Sequence, residues 1–496
     1  FWVARLCHLF FEGQAMLTAN LSFEDLGANW DVSDTALQIG GSKIEIFRSS
    51  QLSWSTRRFD GGQLLWIGEV ADPFEAADAE IRSDLYRDFD AAEGICLIVH
   101  DNDQRVELVR TCAGNCPIYV ARGKGRLAIS WRFEDAVAVL DRAEPDILMC
   151  QRYINDGMNQ VRDQVIAGVQ MLWPAERAII DQSSTKFEQM PSPQALMPAQ
   201  FAEGAVATDE FLRLIAEAMS ENVSRANGAL VELSGGLDSS CVAFAAALLE
   251  RPISSCGVIH TGPVGVQQSS RRNEIIELCS LQDFTYPAAK DLTYQSLGLP
   301  GFGVTPFDEM YRLQCSNLLD LVRSTIPELD LVLTGMGGDE LVKDHTLYRT
   351  DYEVAGYTSS SAVVAAACRS DLFMRLGLWP KSPLIARPVV DFCRSLPKKI
   401  REDRQIHKLA LVRSGVSDAF LFPRYYEHFG YVSDLSARSF DFDDYFSTSA
   451  IHDWRIYDID TVLEQAREAT LYGFTPELRT TLFFLCKLEA VLRSYV

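Results

Sequence analysis

A chain of 496 residues is too long to close around one hydrophobic core, so two or more domains are expected. With 47% apolar and 23% charged residues it reads as a globular protein, and no apolar run is long enough to span a bilayer. A formal net charge of −22 argues against non-specific binding to nucleic acid and leaves a solvated acidic surface. The twelve cysteines are scattered, many within apolar runs, as expected of reduced thiols in a cytoplasmic protein rather than a disulfide framework. Cys112 and Cys116 have zinc-like spacing, but no second pair or nearby histidine completes a site.

The opening stretch Phe1–Phe11 is apolar but lacks a basic lead and a small-residue cleavage site, so it reads as a first core strand rather than a signal peptide. The chain begins with Phe rather than Met, which leaves upstream residues open. Short strand-like runs follow at Leu64–Gly68, Gly94–His100, Val106–Arg110, Ile118–Ala121 and Leu127–Trp131. Asp101-Asn102-Asp103 and Arg122-Gly123-Lys124-Gly125 suit hairpin loops between them. Residues 1–190 therefore predict a mostly antiparallel sheet domain. Gln189–Pro198 holds three prolines and no periodicity, which places a linker at 191–206.

Residues 207–496 form the second expected domain. Thr208 is placed to cap a helix whose Phe211, Ile215, Met219 and Val223 share one face. Apolar runs at Ala229–Leu233, Ile253–Ile259 and Leu331–Leu333 alternate with helical stretches and predict a parallel sheet. Beyond about residue 355 the pattern is helical, including Leu463–Leu471 and Leu478–Leu492.

Ser234-Gly235-Gly236-Leu237-Asp238-Ser239-Ser240 joins the first of these strands to a helix. A strand, a Ser/Gly turn and a helix N-terminus make an anion site: glycines admit close backbone approach, free N–H groups converge, and the helix dipole favours negative charge. Asp238 in such a loop calls for a cation, and magnesium bridging to phosphate oxygens supplies one. The Gly-Lys-Ser/Thr ending of a Walker A loop is missing. A second glycine-rich turn, Thr334-Gly335-Met336-Gly337-Gly338-Asp339-Glu340, follows Leu331–Leu333 and sets Asp339 at the C-terminal rim of the sheet, where doubly wound sheets bind ligands. Two such turns, each with one aspartate, can share one magnesium and one triphosphate.

The pair of turns resembles the synthetase domain of the asparagine synthetase superfamily, which includes β-lactam synthetase and the lasso-peptide cyclases. Arg110-Thr111-Cys112-Ala113-Gly114-Asn115-Cys116-Pro117-Ile118-Tyr119 is similar to the Arg-Asp-x-x-Gly-x-x-Pro-Leu-Tyr segment of that family's glutaminase domain, and Ile67-Gly68-Glu69 stands in place of its Asn-Gly-Glu. The resemblance implies an N-terminal nucleophile (Ntn) hydrolase-like domain followed by a pyrophosphate-loop ATPase domain with a parallel sheet and a helical C-terminal part. It implies ATP and Mg2+, with Leu233, Thr334 and Gly335 at the adenine and ribose, Ser234, Gly235, Gly236, Asp238 and Ser239 around the pyrophosphate, and Asp238 and Asp339 on the metal.

Three departures narrow the expected chemistry. Ile67 cannot donate to a tetrahedral oxyanion, and loss of one such donor costs a hundredfold or more, on the order of 3 kcal/mol. Phe1 is not the family's cysteine nucleophile, and Cys7 sits within a strand rather than at a free α-amine. The first domain is thus expected to be a degenerate amidotransferase, and the nucleophile an amine other than ammonia. Met336 stands where asparagine synthetases have Glu and β-lactam synthetase Tyr, and it can neither move a proton nor hold a charge. Gly377–Leu384, Val389–Pro397, the cations Arg401, Arg404 and Lys408, and Pro423 with Glu427-His428-Phe429 resemble the cyclases' helical segment, while the synthetases' Arg-x-Lys is not matched at Arg424-Tyr425-Tyr426.

The expected activity is adenylation of a carboxylate, then closure of a macrolactam by a peptide's own α-amine. The substrate would be a ribosomal precursor peptide, with a leader-peptide protease and a leader-binding protein as possible partners. Lys408 is the candidate late cation; Asp371, His345 and Glu353 are candidate proton acceptors, with none decided by spacing. Arg271-Arg272 suit either the phosphates or a helix cap, Glu340 a helix cap, and Phe373, Leu376, Leu378 and Trp379 the core. A ligase for a small amino-acid substrate and a degenerate ATP-binding scaffold are the alternatives.

Overall fold

The computed structural model describes residues 17–33, 36–46, 49–69, 93–101, 104–111, 114–157, 162–189, 206–342, 360–425 and 430–496. The expected first strand with Cys7, the linker apart from Val206, and Cys112, His345, Glu353 and Glu427–Phe429 lie outside the described residues.

The N-terminal part is two antiparallel sheets rather than one. A seven-stranded sheet is built around Leu17–Ser22, Ser42–Ile46, Tyr119–Gly123 and Arg126–Ser130; a six-stranded sheet runs through Ser53–Phe59, Gly62–Gly68, Gly94–His100, Arg105–Arg110, Glu176–Ile180 and Thr185–Gln189. Leu17, Ala19 and Leu21 of the first meet Leu65, Ile67, Leu97 and Val99 of the second in one buried core. Alternation along each strand produces this, since every second side chain points inward. The hairpin at Lys124-Gly125 has both residues in the left-handed region (φ 52° and 71°), the geometry of a two-residue type I′ turn.

The C-terminal part carries a five-stranded sheet, parallel throughout. Its spatial order is Gln282–Pro287, Ser254–Ile259, Ala229–Glu232, Leu331–Leu333, Trp379–Lys381. The order reverses between Ala229–Glu232 and Leu331–Leu333, and that reversal is the point at which crossover helices leave toward opposite faces and open a crevice. Two of these strands were not expected. Gln282–Pro287 is half polar, and Trp379-Pro380-Lys381 interrupts a region read as wholly helical. Pro380 is tolerated because its strand forms the sheet edge.

Helix Ala207–Arg225 buries Phe211, Ile215, Met219 and Val223 as expected, but Val206, not Thr208, occupies the cap position; Thr208 is buried in the first turn. The last two helices, Ile459–Tyr472 and Pro476–Tyr495, close the C-terminal part. Both major cores cross the boundary between the two halves. Tyr153 of the first half packs edge-on against Phe484 at 5.5 Å and its hydroxyl donates to the Pro306 carbonyl at 2.6 Å. No described helix is long and apolar enough to cross a membrane, and the cysteines of the described residues are free thiols.

Candidate functional site

The two glycine-rich turns leave the sheet on either side of its reversal point and face each other. Gly235 takes φ +91°, a left-handed conformation that turns the chain sharply after Leu233 and is costly for any residue with a Cβ. Ser234 then locks the turn. Its Oγ accepts from Gly236 N at 3.1 Å and lies 3.1 Å from Ser239 Oγ, which in turn accepts from Ser234 N at 3.2 Å. Helix Leu237–Ala247 starts here, with Gly236 at its cap and no side chain closing its first N–H groups. An uncapped helix start beside a serine-lined turn suits an anion.

The second turn packs directly on the first. A Cβ on Gly338 would lie 2.4 Å from Cγ of Asp238, and one on Gly335 would lie 2.8 Å from Ser239 N. Only glycine lets these backbones approach, so Gly335 and Gly338 set the spacing of the two aspartates. Thr334 stands behind, buried, its hydroxyl 2.7 Å from Ser382 Oγ.

A cavity of about 500 Å³ opens at this junction. Leu233, Ser234, Gly236, Asp238, Ser239, Gly335, Met336 and Asp339 line it, while Gly235 and Thr334 are not among its lining residues. The expected loop residues are therefore brought together. Lys408 is not among the lining residues. One turn earlier, Arg404 is: it forms an ion pair with Asp339 and lies 3.8 Å from Asp238. Asp403 and Arg404 both take left-handed backbone angles (φ 51° and 57°), costing roughly 1–2 kcal/mol each, and this bend precedes helix Gln405–Arg413.

Asp238, like Asp101, Asp371 and Asp391, has a buried carboxylate oxygen with no partner, and of these it is the one that lines the cavity. Its Oδ1 is buried and makes no hydrogen bond within the described residues. Burial pushes its pKa up to about 6, against the pull of the Arg404 charge. His407 Nε2 lies 3.5 Å from the same oxygen. Burial first, and Arg404 second, hold that imidazole down to about 3, so it is neutral at pH 7. An orphaned carboxylate oxygen beside a second carboxylate fits a hard cation. Two carboxylates complemented by phosphate oxygens is the usual donor set for magnesium, which does not need an all-protein cage. Among the described residues no group of three or more metal-ligating side chains occurs.

Other candidates go elsewhere. Arg271 donates to the Phe420 carbonyl and stacks on that ring at 4.4 Å; Arg272 packs its stem behind Gly235 while its guanidinium reaches Asp283 and the Cys256 carbonyl, and neither arginine is among the cavity's lining residues. Asp371 accepts from Arg375 at 2.8 Å and lies away from the cavity. Glu340 falls inside the short helix Gly338–Leu341 and does line the cavity, where its charge helps raise the Asp238 pKa. Leu378 and Trp379 are core, while Phe373 also lines the cavity.

Of the segments that resemble a glutaminase, Glu69 and Asn115 reach across to the second half, while Ile67 and Arg110 stay within the first. Ile67 is buried in the sandwich core. Glu69 Oε1 accepts from Trp379 Nε1 at 2.8 Å and Asn222 Nδ2 at 3.1 Å; Oε2 accepts from Lys381 Nζ at 2.6 Å and Glu93 N at 2.7 Å. Arg110 is bound to Glu93 and the Leu172 and Cys116 carbonyls. Asn115 Oδ1 accepts from Ser382 N at 3.1 Å.

No protein-family model matches the chain, and no curated protein matches it in sequence. Among solved structures it is similar to an NH3-dependent NAD synthetase from Campylobacter jejuni, at 13% identity over 58% of this chain and 97% of that one, TM-score 0.27. It is also similar to an NMN synthetase from Francisella tularensis, at 15% identity over 45% of this chain and 100% of that one, TM-score 0.22. A glutamine phosphoribosylpyrophosphate amidotransferase from B. subtilis matches at 10% identity over 76% of this chain and 86% of that one, TM-score 0.21. At such identities and scores these likenesses carry no functional weight; the site's own geometry does.

Proposed function

We propose that this chain is an ATP-dependent carbon–nitrogen ligase that activates a carboxylate as its adenylate, releasing pyrophosphate, and passes the acyl group to an amine. The observation that carries the reading is the pair of abutting turns at the sheet's reversal point, which brings Asp238, with its orphaned buried oxygen, together with Asp339 and an uncapped helix N-terminus.

A free carboxylate does not acylate an amine at neutral pH, because its carbonyl is resonance-stabilised and its leaving group would be oxide. AMP provides the leaving group. Ser234, Gly236 and Ser239 would hold the departing pyrophosphate at the helix N-terminus. Asp238 and Asp339 would hold magnesium, which supplies charge neutralisation on the phosphate oxygens. Arg404, rather than Lys408, is the cation placed to meet the same phosphates once it leaves the aspartates.

The amine is read as something other than glutamine-derived ammonia. Ile67 offers no oxyanion donor, Glu69 and Asn115 are occupied at the boundary between the halves, and Arg110 is occupied within the first half. A precursor peptide whose own N-terminus attacks a side-chain adenylate, closing a macrolactam, is the reading this supports. A leader-peptide protease and a leader-binding protein would act before it. Incubation of candidate peptides with ATP and magnesium should give AMP, pyrophosphate and a product lighter by one water. Pyrophosphate exchange driven by a small amino acid but by no peptide would overturn the macrolactam reading. Nucleotide binding with no AMP release under any substrate would overturn the ligase itself.

A further inference from the structure

We infer that Glu232 is the binding group for the attacking amine: the inner end of the cavity is a carboxylate-floored, apolar-walled compartment for a primary alkylammonium. This rests on the ligase reading above and names the place of its second substrate.

Glu232 is the last residue of strand Ala229–Glu232, one before the first turn. Successive strand residues face opposite sides of a sheet. Val231 and Leu233 belong to the core on the side of helix Leu237–Ala247, whereas Leu230 packs with Cys256, Leu318, Leu319 and Phe373 on the other side. Glu232 shares the face of Leu230. Its carboxylate therefore enters the cavity from the side opposite the loop helix, beneath helices Arg312–Arg323 and Ser360–Arg375.

The walls there are Leu318, Leu319, Ala365 and Phe373, with Cys315 beside them. Glu232 has no cation within hydrogen-bonding distance among the described residues. Arg369 Nη2 lies 3.9 Å from Glu232, and Arg369 Nη1 lies 3.8 Å from Glu309, both ion-pair separations beyond hydrogen-bonding reach; Nη1 instead reaches Cys315 Sγ at 3.5 Å. Arg369 is thus shared with Glu309, on which Lys487 also acts, and Glu232 keeps a single ion pair beyond hydrogen-bonding reach in a half-buried place. Burying such a charge is costly unless a cation arrives with the ligand. Burial displaces the Glu232 pKa upward, against the pull of Arg369 and aided by Glu309, which also suits a group that takes the amine's proton. In that step one proton of the bound ammonium passes to Glu232 and frees the nitrogen lone pair, the lone pair forms the C–N bond, the C–O bond to AMP breaks with its electron pair leaving on AMP, and the second nitrogen proton leaves to the AMP phosphate or to water.

The test uses the full chain with n-butylammonium as the amine probe, n-pentanol as its uncharged counterpart, and Mg·ATP titrated separately by calorimetry. Ligand-observed NMR should show wild-type protein binding butylammonium and not pentanol. Glu232→Gln should weaken butylammonium at least tenfold while Mg·ATP affinity stays within twofold, and Glu232→Asp should retain most amine binding. Unchanged butylammonium binding in Glu232→Gln, no discrimination against pentanol by wild type, or a loss confined to Mg·ATP would each overturn the assignment, the last by making Glu232 a nucleotide contact. The two readings fail separately: wild type that takes up the amine but no Mg·ATP sinks the ligase and leaves an amine site, whereas Mg·ATP without amine sinks only the inference about Glu232.

Discussion

The two halves of this molecule use buried charge in opposite ways. In the first half, Glu69 and Arg110, at positions resembling a glutaminase motif, are saturated, although Asn115 Nδ2 beside them is not: every oxygen of Glu69 is bonded, and Arg110 reaches a carboxylate and two carbonyls. In the second half the corresponding density of charge is left incomplete, with Asp238 Oδ1 orphaned and Glu232 out of hydrogen-bonding reach of its arginine. A finished polar network holds structure together, while an unfinished one is a place for a ligand. On the proposed reading, the contrast separates a scaffold half from a ligand-binding half.

The contrast breaks first at Asp238. If its unfinished coordination exists for metal and phosphate, Asp238→Ala should lower AMP formation about a thousandfold or more, on the scale of losing a main electrostatic contact. The circular-dichroism spectrum should be unchanged. Turnover within tenfold of wild type would remove Asp238 from the machinery. Its counterpart at the boundary with the first half is Lys381, which holds Glu69. Lys381→Ala strips the buried Glu69 carboxylate of its cation and should destabilise by about 3–5 kcal/mol, with no direct effect on nucleotide affinity in the protein that remains folded. Replacing both partners with apolar residues should recover most of that stability in a denaturant titration. A small loss for the single variant would mean the boundary is not held by this network.

What was legible in the sequence follows the same division. The two turns could be read directly because a glycine-rich run after an apolar strand is local, and so is its consequence for the backbone. The antiparallel hairpins were legible for the same reason. Strand Trp379–Lys381 was not, since three residues centred on a proline carry no period; only pairing with Leu331–Leu333 makes them a strand. The role of Arg404 over Lys408 depends on a left-handed bend that no spacing announces. Glu232 did leave a signal: one carboxylate within Ala-Leu-Val-Glu-Leu, an otherwise apolar strand, marks a buried charge that needs a reason. Glu69 and Lys381, 312 residues apart, could be linked only by the fold.

Arg404 tests whether the cation between the aspartates is a placeholder. Arg404→Ala should strengthen nucleotide-free Mn2+ binding several-fold, read by electron paramagnetic resonance, because a competing positive charge is gone. It should also slow AMP formation about ten- to a hundredfold, if the guanidinium moves to the phosphates. Weaker metal binding together with unimpaired turnover would make Arg404 a structural partner of Asp339 alone.

The smallest effect is the most direct test of finished against unfinished charge, because it depends on sign. Burial would raise Glu107, but the His100 ring 3.1 Å away and Arg177 more than offset it and hold its pKa down to about 2. A depressed carboxyl contributes stability that is fully present above its unfolded value near 4.5 and lost as pH falls through about 2. Asp238, raised to about 6 from 3.8, does the reverse: its ionised form is disfavoured in the folded state, so stability declines as pH rises from about 4 through 6. Glu107→Gln should therefore cost about 1–2 kcal/mol at pH 7 and flatten the acid limb of the stability profile. Asp238→Asn should gain about 1–2 kcal/mol at pH 7 and nothing at pH 4, where the native carboxyl is already protonated. Urea titrations of both variants at the two pH values decide the matter. Equal signs at pH 7 would show that Asp238 is a satisfied structural carboxylate like Glu107, and the division between the two halves would not hold.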